Sequence, residues 1–110
     1  MATTMYVAVL LTEATSEAEG HDPLYAEDFV LLSADNEEEA RAKALARGKA
    51  QETSYRNADG ELITWRLLHV VDVNEVLDTP LHDGADLYTR HFRDYRSYRA
   101  FEPLLSGEPL

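Results

Sequence analysis

Apolar positions fall into a few dense runs separated by polar stretches, and each run has its own spacing. Residues 5–11, MYVAVLL, form a continuous apolar run rich in β-branched and aromatic side chains, which predicts a central strand. Residues 12–23, TEATSEAEGHDP, are polar, lack a period and close on Gly20 to Pro23. They read as a connection, either a flap over something or a mobile loop. Residues 24–34, LYAEDFVLLSA, predict a second strand whose first half alternates imperfectly at Glu27 and Asp28. Two strands joined by one connection are expected to pair antiparallel.

The pattern then changes to helical. Asp35 is placed to cap a helix with Glu38 at its third position, and Glu37, Glu38 and Glu39 suit the positive end of the helix dipole. Arg47 and Lys49 fall toward the negative end. Ala40, Ala44 and Gly48 recur at i, i+4 and i+8 beside Leu45, a stripe with little bulk that lets a helix lie close on a sheet. The expected helix runs from about Asn36 to about Glu52.

Beyond it, Asn57-Ala58-Asp59-Gly60 predicts a hairpin turn with Gly60 at positive φ. The following strand places Ile63, Trp65, Leu67, His69, Val71 and Val73 on one face and Leu62, Thr64, Arg66, Leu68, Val70 and Asp72 on the other. A strand of this length is expected to bend, to carry a bulge, or to leave part of itself for a partner chain. TPLHDG (79–84) is a turn cluster, and ADLYTRHF (85–92) predicts a last strand.

The order strand, strand, helix, strand, strand, strand gives an α+β fold: a mainly antiparallel sheet of four to five strands with one long helix on a face. The 110 residues suffice for a single domain, with a core over about 5–92 and a basic, aromatic tail over 93–110. One helix covers only one face of such a sheet, and Leu68 and Val70 on the other predict that it is covered, here by a second subunit.

Composition narrows the chemistry. The formal net charge is −11, and there is no cysteine, which excludes disulfides, thiol catalysis and cysteine metal sites. Residues 1–87 carry 18 acidic and six basic side chains. Residues 88–101, YTRHFRDYRSYRAF, instead set Arg90, Arg93, Arg96 and Arg99 against Asp94. An acidic body argues against nucleic-acid binding, and docking of the basic segment on its own body, within a chain or across a dimer, is the expectation. No run is long and apolar enough to span a membrane, and a cytoplasmic location is expected.

Read together, YVAVLL, then PLYAEDFVLLSADNEEEARAKALARGKAQETSYRNADGELITWRLLHVVDVNEV, then DGADLYTRHF resemble the bacterial family known as domain of unknown function 4288. The markers are Tyr6, Leu24-Tyr25, the acidic-start helix with Ala40 and Gly48, Tyr55, Asn57, Gly60, Trp65 and Asp83-Gly84. The resemblance spans residues 6–92 and leaves the arginine-rich tail outside. It implies a small, stand-alone intracellular protein and brings no activity, cofactor or site residue.

Phosphate-binding glycine loops, zinc-protease histidine pairs and nucleophile elbows are absent from the sequence. His82, Asp83 and Asp86, with Asp72, Glu75 and Asp78, match no calcium-loop spacing and read as solvated turns. No catalytic residue, metal site or cofactor is therefore expected. The expected function is that of a small acidic protein-interaction module, immunity-like, inhibitor-like or regulatory. It would be homodimeric, with a basic protein as a further partner and contacts through residues 12–23 and 72–86. Binding residues are sought among Tyr25, Tyr55, Trp65, His69, Arg90, Arg93 and Arg96. The alternative is a small-molecule-binding protein or minor enzyme, with a groove formed by Tyr25, Tyr55, Trp65 and His69.

Overall fold

The computed structural model describes residues 3–102 and residue 104; the end of the basic tail lies outside the described residues. The elements run β1 (Thr4–Ser16), β2 (Leu24–Ala34), α1 (Glu37–Ala50), β3 (Thr53–Arg56), β4 (Leu62–Glu75) and α2 (Tyr95–Phe101). The four strands form one antiparallel sheet in the order β2-β1-β4-β3, giving an α+β fold.

The central position of β1 follows from its composition. Val7, Ala8, Val9 and Leu10 are all buried, so the run is covered on both faces. β1 extends to Ser16, so the connection to β2 is shorter than the polar composition of residues 12–23 suggests. Its first residue is also tied down. Glu17 accepts from Arg56 Nη1 at 2.9 Å and from the Leu62 amide at 3.2 Å, while its own amide donates to the Leu62 carbonyl. These contacts pull the Glu17 carboxyl below the usual carboxylate range, chiefly through the hydrogen bond from Arg56.

α1 starts one residue later than the charge pattern implies. Asn36, not Asp35, is the cap, and its Oδ1 accepts from the Glu39 amide at 2.8 Å. The small stripe packs as expected: Ala40, Ala44 and Gly48 are buried in α1. Tyr6, Ala8, Leu10, Leu32, Ala34, Leu67 and Val73 complete the core beneath it. Leu45, beside the stripe, is exposed.

Regular alternation along β4 does not survive pairing with β1. Register shifts between Val9 and Leu10 and between Leu11 and Thr12 leave Val71 and Leu68 without a partner on β1. These two bulges turn the strand face over twice. Leu67, Val70 and Val73 oppose Thr12, Leu10 and Ala8 on the α1 side, whereas His69 and Asp72 oppose Leu11 and Val9 on the other. Val70 therefore belongs to the helix-covered core, and His69 leaves the face it was expected to share with Trp65.

The anticipated strand over 85–92 is absent; those residues have no regular structure. Leu87 and Tyr88 of this segment lie over the face of the sheet away from α1, where the Tyr88 ring is 6.1 Å from that of Phe29. A second, short helix follows, capped by Asp94, whose Oδ1 accepts from the Ser97 amide at 3.0 Å. Phe92, just before it, stacks on Tyr98 with centroids 4.8 Å apart. Gly60 has φ +80, the conformation the hairpin turn requires.

Candidate functional site

The residues sought as a groove are divided between the two faces of the sheet. Tyr55 pairs with Ile63, and Trp65 with Ala14, on the side of the sheet that carries α1. Both line an open hollow of about 260 Å³ beyond the end of the helix, with His21, Asp22 and Leu24 at its rim. Tyr25 pairs with Glu13, and His69 with Leu11, on the opposite face. A single groove lined by all four is thus not formed, and the bulges of β4 are the reason for His69.

Tyr25 lies 54% exposed, and its hydroxyl is bonded to Glu13. That hydrogen bond, then burial and the Glu13 charge, raises the phenol pKa above its ordinary value. Glu13 also accepts from Arg66 Nη2 at 3.2 Å, so it links Tyr25 to Arg66 across three strands. His69 is exposed and borders a separate hollow with Leu68, Arg41 and Lys49 beside the open edge of β4. Arg90, Arg93 and Arg96 are exposed and make no ion pair among the described residues. No three histidine or carboxylate side chains converge as a metal would require, among the described residues.

Two other features went unread in the sequence. The first is the face of the sheet away from α1. Val7 and Val9 are buried there, but Phe29 is 67% and Leu31 45% exposed on the outermost strand. With Leu81, Leu87 and Tyr88 they line an apolar hollow of about 340 Å³. Tyr88 is fixed over it by a 2.6 Å hydrogen bond to Asp72 Oδ2. Burial first, then that bond, raises the Tyr88 pKa, with Arg90 opposing and Glu27 adding to the shift.

The second is a hollow of about 550 Å³ where the start of α1 meets the end of β4. Tyr6, Glu37, Asn74, Glu75, Tyr88 and His91 border it. Tyr6 is only 4% exposed, its ring forms part of the core, and its hydroxyl has no hydrogen-bond partner among the described residues. Burial, then the charges of Glu75, Glu37 and Glu39, raise its pKa. The contributing residues come from four separate stretches of the chain, around positions 6, 37, 75 and 89, which is why no local motif announced them.

A family model described as a domain of unknown function (DUF4288) matches residues 5–89, and the chain belongs to that family. No curated protein and no solved structure matches the chain.

Proposed function

We propose that this member of the domain-of-unknown-function 4288 family is a protein-interaction module whose first partner is a second copy of itself, joined along the outer edge of β2. The observation that carries this reading is the state of that edge. β2 pairs with β1 through eleven residue pairs without a register shift, and no strand lies on its other side among the described residues. A long, regular edge is a template for another strand, and folded proteins usually protect one with charged side chains, proline or a bulge. β2 has no proline and no bulge; its charges are confined to Glu27 and Asp28, and Lys43 of α1 donates to the Ser33 carbonyl near its end, which leaves the apolar stretch Phe29–Leu32 uncharged. The part of β4 not covered by β3, by contrast, carries two bulges.

Strand pairing about a two-fold axis at Val30 is chemically self-consistent. It sets Phe29 opposite the partner's Leu31, an aromatic–aliphatic pair, and Glu27 opposite the partner's Ser33, so like charges do not face each other. Charge supports a second copy over an unrelated chain. Glu27 and Asp28 make no ion pair among the described residues, and neither do Arg90, Arg93 and Arg96. Both Glu27 and Arg90 act on Tyr88, so the arginine segment begins beside β2. One protomer's basic segment can then meet its partner's acidic edge. The remaining surface of a chain carrying −11 suits a basic protein as a further partner.

Light scattering on the purified chain tests the reading. A species of twice the 12.4 kDa chain mass is expected, converted to a folded monomer by Phe29→Lys and left intact by Leu68→Lys on the bulged strand. A monomer at about 100 µM, or a dimer insensitive to Phe29→Lys, would overturn it.

A further inference from the structure

We infer that the hollow between the start of α1 and the end of β4 binds a primary aliphatic ammonium group, with Glu75, Glu37 and the Tyr6 hydroxyl as its acceptors. This site is independent of the β2 edge. Three features together select the ligand class. The first is Tyr6: its side chain, only 4% exposed, borders the hollow and keeps a hydroxyl without a protein partner among the described residues. The core holds the ring in place, so the hydroxyl is available to accept a hydrogen bond from a ligand in the hollow.

The second feature is charge. Glu75 sits opposite Tyr6 in the strand pairing, and both it and Glu37 border the hollow beside the Tyr6 hydroxyl. Glu75 makes no ion pair or side-chain hydrogen bond among the described residues. Glu37 meets Arg41 at 3.1 Å through Oε1, and its second oxygen takes no part in that contact. Two carboxylates on one wall favour a cationic ligand over a carboxylate or phosphate. A –NH3+ group has three donors and no acceptor, and here it meets two carboxylates and one hydroxyl lone pair.

The third feature is the remainder of the wall. Leu77 and the Tyr88 ring border the same space, which offers an alkyl chain apolar contact and the cation an aromatic face. A volume near 550 Å³ accepts a small organic amine and is far larger than a bare metal ion needs. The described residues also hold no group of three metal-ligating side chains. A diamine places one ammonium at Tyr6 and leaves the other for the acidic rim.

Calorimetric titration of the full chain with 1,4-diaminobutane at low ionic strength tests the assignment, with magnesium chloride and tetramethylammonium chloride as comparison titrants. Saturable binding of the diamine with a Kd of about 1 mM or tighter is expected. Tetramethylammonium, which has no N–H, should bind at least about tenfold more weakly. Tyr6→Phe, which keeps the core ring, and Glu75→Gln, an exposed change, should each weaken the diamine about tenfold while the circular dichroism stays unchanged. Absence of saturable diamine binding would overturn the inference. So would magnesium binding as tightly as the diamine, or affinity that survives both substitutions, because either would reduce the hollow to a diffuse acidic surface.

Discussion

Tyr88 donates its hydroxyl to Asp72 Oδ2 at 2.6 Å, and this bond ties a segment without regular structure to a bulged strand. Asp72 is in reach because the two bulges of β4 turn it to the face opposite α1, against Val9. The same bond holds the Tyr88 ring beside Phe29 and so shapes both the apolar hollow and one wall of the acidic one.

Tyr88→Phe should cost about 1–2 kcal/mol, the scale of a partly buried hydrogen bond to a carboxylate. The pH dependence has a definite sign. The folded-state pKa of Tyr88 lies above the ordinary value of 10.0, so the stabilisation is complete below pH 10 and is lost as pH rises through the raised value. Urea denaturation across pH 8 to 11 checks this, and the phenylalanine variant should lack Tyr88's contribution to the alkaline decline. An unchanged midpoint in that variant would mean the segment is not docked.

Gly48 and Leu67 should be energetically coupled. A Cβ at Gly48 would sit 2.7 Å from Leu67 Cδ2 and 3.0 Å from Cδ1, inside van der Waals contact. Alanine gains about 1 kcal/mol of helix propensity over glycine, and that clash offsets the gain. Gly48→Ala should therefore be at least about 1 kcal/mol more favourable in a Leu67→Ala background than alone. Additive effects in the double-mutant cycle would show that α1 does not approach β4 this closely.

Ala44 is fully buried on the sheet-facing side of α1. Enlarging it to leucine should lower stability by about 1–3 kcal/mol through overpacking. Leu45→Ser, one position along and 49% exposed, should change it by less than about 1 kcal/mol, so thermal melts of the pair assign the buried face of the helix.

The basic segment gives a concentration-dependent test. Since Arg90, Arg93 and Arg96 make no ion pair among the described residues, changing all three to glutamine should shift the monomer's denaturation midpoint by no more than about 0.5 kcal/mol. The same change should raise the dissociation constant of the dimer, and the difference should shrink in 1 M salt. A salt-sensitive loss of stability in the monomer would place the arginines on their own chain's acidic body instead.

Local pattern was enough to identify most of the elements. The dense run at residues 5–11, the acidic start and small-residue stripe of the helix, and the Asn57 to Gly60 turn each state a short-range preference that the fold obeys. Such signals lie within a few residues of one another, where backbone propensity, capping and periodicity act. The one-residue error at the helix cap is of the same kind, since Asp35 and Asn36 are both good caps and only the packed backbone selects Asn36.

Tertiary pairing decided which side chains meet. Strict alternation puts His69 with Trp65 and Val70 with Asp72, and two bulges set by the match of β1 to β4 reverse both assignments. The segment 85–92 has the composition of a strand yet forms none, and it docks through Tyr88 and Phe29 instead. The hollow at Tyr6 gathers residues from β1, α1, the end of β4 and the segment after it. Sequence alone set the α+β elements, the acidic body and the arginine-rich end, because those are local or additive properties. Among the described residues, the open edge of β2, the Tyr6 hydroxyl without a protein partner and the face carrying Asp72 came only from long-range strand pairing, where a shift of one residue turns every side chain beyond it to the opposite side.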